Sequence, residues 1–279
     1  MSYKIVVDSC GELTEEMKQS GKVESVALSI QIDNENIIDD DTFNQAEFLR
    51  KVAESSNSPK SSCPSPECYM DSYKCDADRV YVVTLSAELS GSYNSAVLGK
   101  SIYAEEHGEK KIHIFNSRSA SVGETLIAKK IMECEEQGYG FEEVIETVDA
   151  YIQGQNTYFV LETLETLKKN GRLTGVKALV ASALNIKPVM ASTSQGTICQ
   201  LGKSRGINKA LDKMVEYVIK DAVDMEEKTL AIAHCNCYER AMSVKAMLEE
   251  RGHFKDVIIL DTRGISTMYA SDGGIIVVV

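Results

Sequence analysis

Residues Arg79 to Ala96 read R-V-Y-V-V-T-L-S-A-E-L-S-G-S-Y-N-S-A. The β-branched run Val80 to Leu85 predicts a buried strand. Hydroxyls and a glycine follow it, Ser86, Ser90, Gly91 and Ser92. A helical pattern comes next, with Tyr93, Ala96, Val97 and Ile102 on one face. The strand therefore delivers the chain to a helix N-terminus dressed with serines. The first turn of a helix leaves N–H groups unpaired at the positive end of its dipole. Gly91 lets a ligand come close to the backbone. Such a place suits a small anion: a carboxylate, phosphate or sulfate. Ser90 acting as a plain helix cap is the competing reading.

Working outward, the first half of the chain repeats that strand-to-helix pattern. Tyr3 to Val7 is an apolar run ending at Asp8 and Ser9, and Thr14 caps a helix Leu13 to Gln19. Val23 to Ile32 alternates as one strand, a short hairpin passes through Asn34-Glu35-Asn36, and Thr42 caps a helix Phe43 to Ser55. Ser55 to Ser65 is a hydroxyl-rich loop stiffened by Pro59 and Pro64, which could present Ser61 and Ser62 as a clamp. Lys111 to Phe115 is a strand followed by Asn116, Ser117, Arg118 and Ser119. Alternating strands and helices predict an α/β fold with a doubly wound, mostly parallel sheet. Ligands of such sheets bind beyond the carboxyl ends of the strands, where Asp8-Ser9, Ser86 to Ser92 and Asn116 to Ser119 would gather.

The pattern changes after Gly154-Gln155-Asn156, so residues 1–154 and 155–279 are expected to form two domains. Strands at Tyr158 to Leu161, Ile186 to Met190 and Thr197 to Leu201, with a hairpin through Ser194-Gln195-Gly196, predict a C-terminal α+β domain with a mixed or antiparallel sheet. Lys168, Lys169 and Arg172 read as an exposed basic run. Arg172 is its candidate for gripping an anionic head group or an acidic partner. Val176, Leu179, Val180, Ala183 and Leu184 fall at helical spacing, as core or as the wall of a tunnel.

Composition narrows the function classes. The chain has 279 residues, 43% apolar and 26% charged, with a formal net charge of −12. That balance argues against a nucleic-acid partner, which needs a basic face. The start becomes charged at Asp8, too early for a signal-peptide core, and the expectation is a cytoplasmic protein. The eight cysteines lack paired metal-site spacing, so neither a metal nor a cofactor is expected. There is no G-x-G-x-x-G and no G-x-S-x-G. The histidines at 107, 113, 234 and 253 have no evident Ser or Cys partner, and no catalytic residue is assigned.

Motifs spread over nearly the whole chain resemble the DegV family, bacterial fatty-acid-binding proteins that include the FakB type. The opening I-V-V-D-S is similar to the family's strand ending in Asp-Ser. K-S-S-C-P-S, Lys60 to Ser65, resembles T-S-Q-P-S, with Ser61 for Thr and Cys63 for Gln. L-S-G-S-Y-N-S-A, Leu89 to Ala96, is close to L-S-G-T-Y-x-S-A, and Phe115 to Gly123 resembles D-S-x-x-x-S-x-G. Tyr158 to Thr174 is similar to F-x-V-x-x-L-x-x-L-x-K-G-G-R-I-S, and K-P-V-M, Lys187 to Met190, to K-P-I-L. Where the family has a C-terminal histidine in G-x-H-x-G-P-G, this chain has Tyr269.

The resemblance implies two α/β-type domains with a long-chain fatty acid buried between them. It implies a carboxylate held by Ser61 and Ser90, with Ser62 and Ser92 adjacent. It implies no catalysis by the chain itself, hand-over of the acid to a fatty acid kinase, and transient membrane contact. Tyr269 bears on the hand-over more than on lipid binding. Two other classes compete with the carrier: an enzyme acting on a small carboxylate or phosphate in the same serine-lined cleft, and a lipid sensor.

Overall fold

A computed structural model describes residues 2–173, 176 and 185–279. The chain begins with β1 (Tyr3–Asp8), whose Ile5, Val6 and Val7 are fully buried. It is followed by α1 (Glu15–Gln19), in which the Thr14 hydroxyl accepts from the Met17 N–H as the sequence predicts. The expected single strand over 23–32 is in fact two. β2 (Val23–Val26) lies beside β1, while β3 (Ser29–Ile32) turns away to pair with β4 (Glu35–Ile38). The next helix, α2 (Gln45–Glu54), is capped by Asn44 rather than Thr42, whose hydroxyl is bound to Asp40. The Ser55–Ser65 segment is not all loop. Lys60–Ser62 forms β5, an edge strand antiparallel to β3.

After α3 (Pro66–Tyr73) comes β6 (Arg79–Thr84), buried at every residue, and then α4 (Ser92–His107). β7 (Lys111–Asn116), α5 (Val122–Glu136) and α6 (Phe141–Gly154) complete this half. The four strands run parallel in the order β2-β1-β6-β7. Strand order therefore reverses between β1 and β6, the kind of switch point where a crevice opens at the carboxyl edge.

The second half supplies β8 (Thr157–Val160), α7 (Glu165–Lys169), β9 (Ile186–Ser192), β10 (Ile198–Arg205) and α8 (Ile207–Asp221). It ends with β11 (Thr229–His234), α9 (Tyr238–Arg251), β12 (Asp256–Asp261), α10 (Gly264–Ala270) and β13 (Ile275–Val278). Its sheet has the order β10-β9-β8-β13-β11-β12, antiparallel except for β11 with β12. The architecture is thus α/β, with a parallel sheet first and a mixed sheet second.

The parallel sheet is covered on both faces, by α5 and α6 on one and by α3 and α4 on the other, and the second sheet buries one face under α8 and α9. Tyr158, Val160, Val189 and Val277 pack against Leu211, Met214 and Val218 of α8 and Val244 and Leu248 of α9. On the other side of β8, Phe159 and Leu161 meet Leu167 and Leu173. This alternation is the two-residue period of a strand that has a core on one face and something else on the other. Of the predicted apolar stripe, Val176 packs against this second cluster. Leu179, Val180, Ala183 and Leu184 lie outside the described residues. Among the described residues, no helix is long and apolar enough to cross a membrane.

Candidate functional site

The site is assembled from the ends of β1, β6 and β7. Asp8, fully buried at the end of β1, accepts from the Cys10 N–H at 3.1 Å, the Leu85 N–H at 2.9 Å and the Ser92 hydroxyl at 2.6 Å. It thereby ties β1 to the end of β6 and to the first residue of α4. The Ser86 N–H donates to the Ser119 carbonyl, so the β6 and β7 loops also meet. The three polar strand ends expected to gather do so.

Within this frame the four candidate serines have different fates. Ser90 is half-buried, and its Oγ accepts from the Ser92 N–H at 3.2 Å, leaving its own O–H to donate. Ser90 is not the helix cap that the sequence also suggested: the N-cap of α4 is Gly91, and no side chain caps the helix. Ser92 is wholly buried and committed to Asp8 and to the Tyr69 phenol at 2.5 Å, so it sits one layer behind the surface of the site. Ser61 and Ser62 are neighbours on β5 and must point to opposite faces. Ser61, paired opposite buried Ile30, turns inward, whereas Ser62 is exposed. The two candidate loops touch, for a Cβ on Gly91 would stand 3.1 Å from the Cys63 sulfur.

The Ser61 hydroxyl is 2.8 Å from the Tyr269 phenol. Burial pushes the Tyr269 phenol up from its ordinary pKa, while the bond to Ser61 and the charge of Arg172 pull it down. Sequence reasoning saw Tyr269 only as a missing histidine and did not find α10, which carries it. The available signal was the apolar spacing Ile265, Met268, Tyr269.

Lys168 and Lys169 are exposed as expected, but Arg172 is not part of a surface run. It is half-buried, its Nε donates to the Leu89 carbonyl at 3.1 Å, and its Nη1 donates to the Asn170 carbonyl. Asn170 in turn donates to the Pro59 carbonyl at 2.9 Å. The turn after α7 thus holds both loops in place.

From Leu89, Arg172 and Tyr269 a cavity of about 100 Å³ runs between the two halves of the chain. Its floor is one face of the second sheet, with Thr157 and Phe159 on alternate positions of β8, Leu161 just beyond its end and Ile276 beside them. Leu85, Leu89 and Ile265 form the opposite wall. Among the described residues, the lining includes no carboxylate and no imidazole. At the far end the Ser86 hydroxyl donates to the Gly196 carbonyl at 2.8 Å, and Arg118 donates to the Ser194 carbonyl at 3.2 Å. The β9–β10 hairpin is thereby latched onto the first half. The arrangement offers the Tyr269 phenol, with Ser61 beside it, and the Arg172 guanidinium at one end of an apolar enclosure. That is the complement of an amphiphile with an anionic head.

The chain is similar to known proteins over its full length. A structure of a DegV family protein from Ruminococcus gnavus, described with vaccenic acid, is 64% identical, with a TM-score of 0.98 and 100% of both chains covered. The Streptococcus pneumoniae Fatty Acid Kinase B3 protein loaded with linoleic acid is 31% identical, with a TM-score of 0.89, covering 100% of this chain and 99% of that one. A DegV domain-containing protein of Streptococcus pyogenes serotype M1 is 34% identical over 284 residues, 99% of this chain and 98% of its own length. The family described as "Uncharacterised protein, DegV family" matches residues 2–279, and the chain belongs to the DegV family.

Proposed function

We propose that this protein binds a long-chain fatty acid in the cavity between residues 1–154 and 155–279, without catalysing its conversion. The observation that carries this reading is an apolar enclosure lined at one end by Leu89, the residue before Ser90, and by Tyr269, whose phenol is 2.8 Å from the Ser61 hydroxyl. The hydroxyls and the α4 N-terminus accept the carboxylate, and the tail is buried along Phe159 and Leu161. Each buried methylene contributes about 0.8 kcal/mol, so the tail supplies most of the affinity and the head group the orientation. Ser92 holds Asp8 and the loop, Arg172 holds the Leu89 carbonyl, and Ser62 stays outside the contact. Relatives described with vaccenic and linoleic acid support the ligand class. A cavity without acid or imidazole side chains favours binding over turnover of a small acid.

Likeness to the Fatty Acid Kinase B3 protein extends the reading to a partner. The bound acid is presented, head outward, to an acyl kinase in the cytoplasm after transient contact with a membrane. Native mass spectrometry of the purified protein tests the core of this reading. A co-purifying mass of one acyl chain is expected. An empty protein that turns over a small carboxylate or phosphate would overturn it.

A further inference from the structure

Behind the cavity lie four carboxyl groups that the acid-binding reading does not use. Asp8 ends β1, Glu12 precedes α1, Asp39 follows β4 and Glu124 is on α5, and each is at most 2% exposed. Asp8 has its three hydrogen bonds, but Glu12 Oε1, Asp39 Oδ1 and both oxygens of Glu124 have no partner. A carboxyl oxygen of Asp8, the Cys10 sulfur and a carboxyl oxygen of Glu124 all lie within 4.8 Å of one another. Among the described residues no salt bridge reaches any of the four. Arg263 is the cation acting on Asp39, and its own ion pair is with Asp41 at 3.1 Å. From α3, Tyr69 reaches the group only through Ser92. Four uncompensated charges cannot share such an interior, so protons must neutralise part of them. Glu124, with two free oxygens facing a hydrogen-bonded Asp8, is placed to carry a proton shared with it. Burial pushes Glu12 up to about 7 and Asp39 up to about 6, and Glu124 well above the carboxylate range.

A thin layer separates this cluster from the cavity. Cys10, Ser121 and Ser266 line the cavity. Ser121 donates to Glu12 at 2.7 Å, and Ser266 donates to the Cys10 carbonyl at 2.9 Å. Ser266 and Tyr269 are one turn apart on α10, and the Ile265 N–H at the start of that helix donates to Asp39 at 2.9 Å.

We propose that this carboxyl cluster is a proton store coupled to the cavity: an acid bound as its anion draws a proton onto Glu12 and its neighbours, and affinity falls as pH rises through neutrality. The proposal rests on the cavity being an acid-binding site. An anion brought near ionised carboxylates in a low-dielectric interior is repelled, and protonation removes the repulsion.

Dodecanoate, soluble enough for calorimetry, is the probe. Binding to the intact chain is expected to weaken roughly tenfold from pH 6 to pH 8. At pH 7.5 the heat should differ between phosphate and Tris buffers by the amount that proton uptake requires. Glu12→Gln should flatten the pH dependence and remove the buffer difference, while affinity at pH 6 stays that of the unmodified protein. Neutral 1-dodecanol should bind without proton uptake. Equal heats in both buffers for the unmodified chain, or uptake that persists in both Glu12→Gln and Glu124→Gln, would overturn the coupling. If dodecanoate fails to bind at every pH, the acid-binding reading itself falls and takes the coupling with it.

Discussion

In the proposed site, single hydroxyls divide into those that face the ligand and those that hold the frame. There Ser61 and Ser90 would each offer one donor to a charged oxygen, a bond of about 1.5–3 kcal/mol. Ser61→Ala and Ser90→Ala should therefore each lower fatty-acid affinity by about 10- to 100-fold with an unchanged melting temperature, read by titration calorimetry and thermal denaturation. Tyr269→Phe should weaken binding in the same direction, because it removes the phenol that faces Ser61. Ser92→Ala should behave differently. It strips Asp8 of a bond inside the protein, so stability should fall by about 1.5–3 kcal/mol in a denaturant titration. Equal stability for Ser92→Ala would place its hydroxyl in the ligand contact instead. These contrasts were not legible in the sequence, where S-S and S-G-S are strings of alike residues.

Among the elements, α10 couples most. Its first residue, Gly264, lies so close to Asp39 that a Cβ there would stand 2.1 Å from the carboxyl carbon. Gly264→Ala should push α10 off its seat, destabilise the fold by about 1–3 kcal/mol and weaken binding by misplacing Tyr269. Circular dichroism melts and a fatty-acid titration on the same variant check both effects. The same neighbourhood sets a pH dependence of stability. Glu12 rises from 4.5 to about 7 and Asp39 from 3.8 to about 6 in the fold, both through burial. A raised carboxyl pKa means that the folded state binds the proton more tightly than the unfolded state. Its stabilising effect is complete below the unfolded value and is lost as pH climbs through the folded one. Each group can contribute on the order of 3 kcal/mol to that loss between about pH 4 and 7. The ligand-free protein should therefore melt several degrees higher at pH 5.5 than at pH 7.5. A melting temperature that rises over this interval would mean that the two acids are paired with cations.

At the scale of the whole molecule, the cavity lies between the two halves of the chain, which are pinned together at both ends. Asn170 and Arg172 pin the head end, and the Ser86–Gly196 and Arg118–Ser194 bonds pin the far end. Gly196 has a φ of +87°, and a Cβ on it would stand 2.3 Å from the Ser86 hydroxyl. Gly196→Ala should loosen the latch and speed dissociation of a bound acid severalfold, with the carboxylate contacts intact. Stopped-flow displacement by excess acid reads that rate. An unchanged off-rate would show that the ligand leaves by the head end alone.

Local pattern was enough to determine the parallel sheet, the change of pattern after residue 154 and the mixed second sheet. Runs such as Val80 to Leu85 and Ile5 to Val7 bury whatever their partners are, and Thr14 caps α1 through neighbours three residues away. The gathering of the hydroxyl-rich strand ends was equally legible, since the ends of parallel strands come together at one edge of the sheet. What the sequence left open depends on contacts between residues far apart in the chain. Val23 to Ile32 breaks into two strands because β3 finds partners in β4 and β5. Ser61 turns inward and Ser62 outward because that pairing sets the pleat. Arg172 leaves the surface because the Leu89 carbonyl, 83 positions away, accepts from it. Asp8, Glu12, Asp39 and Glu124 read singly as ordinary acids. Only the tertiary structure encloses them together, and burial, a property of the assembled chain, is what changes their charge.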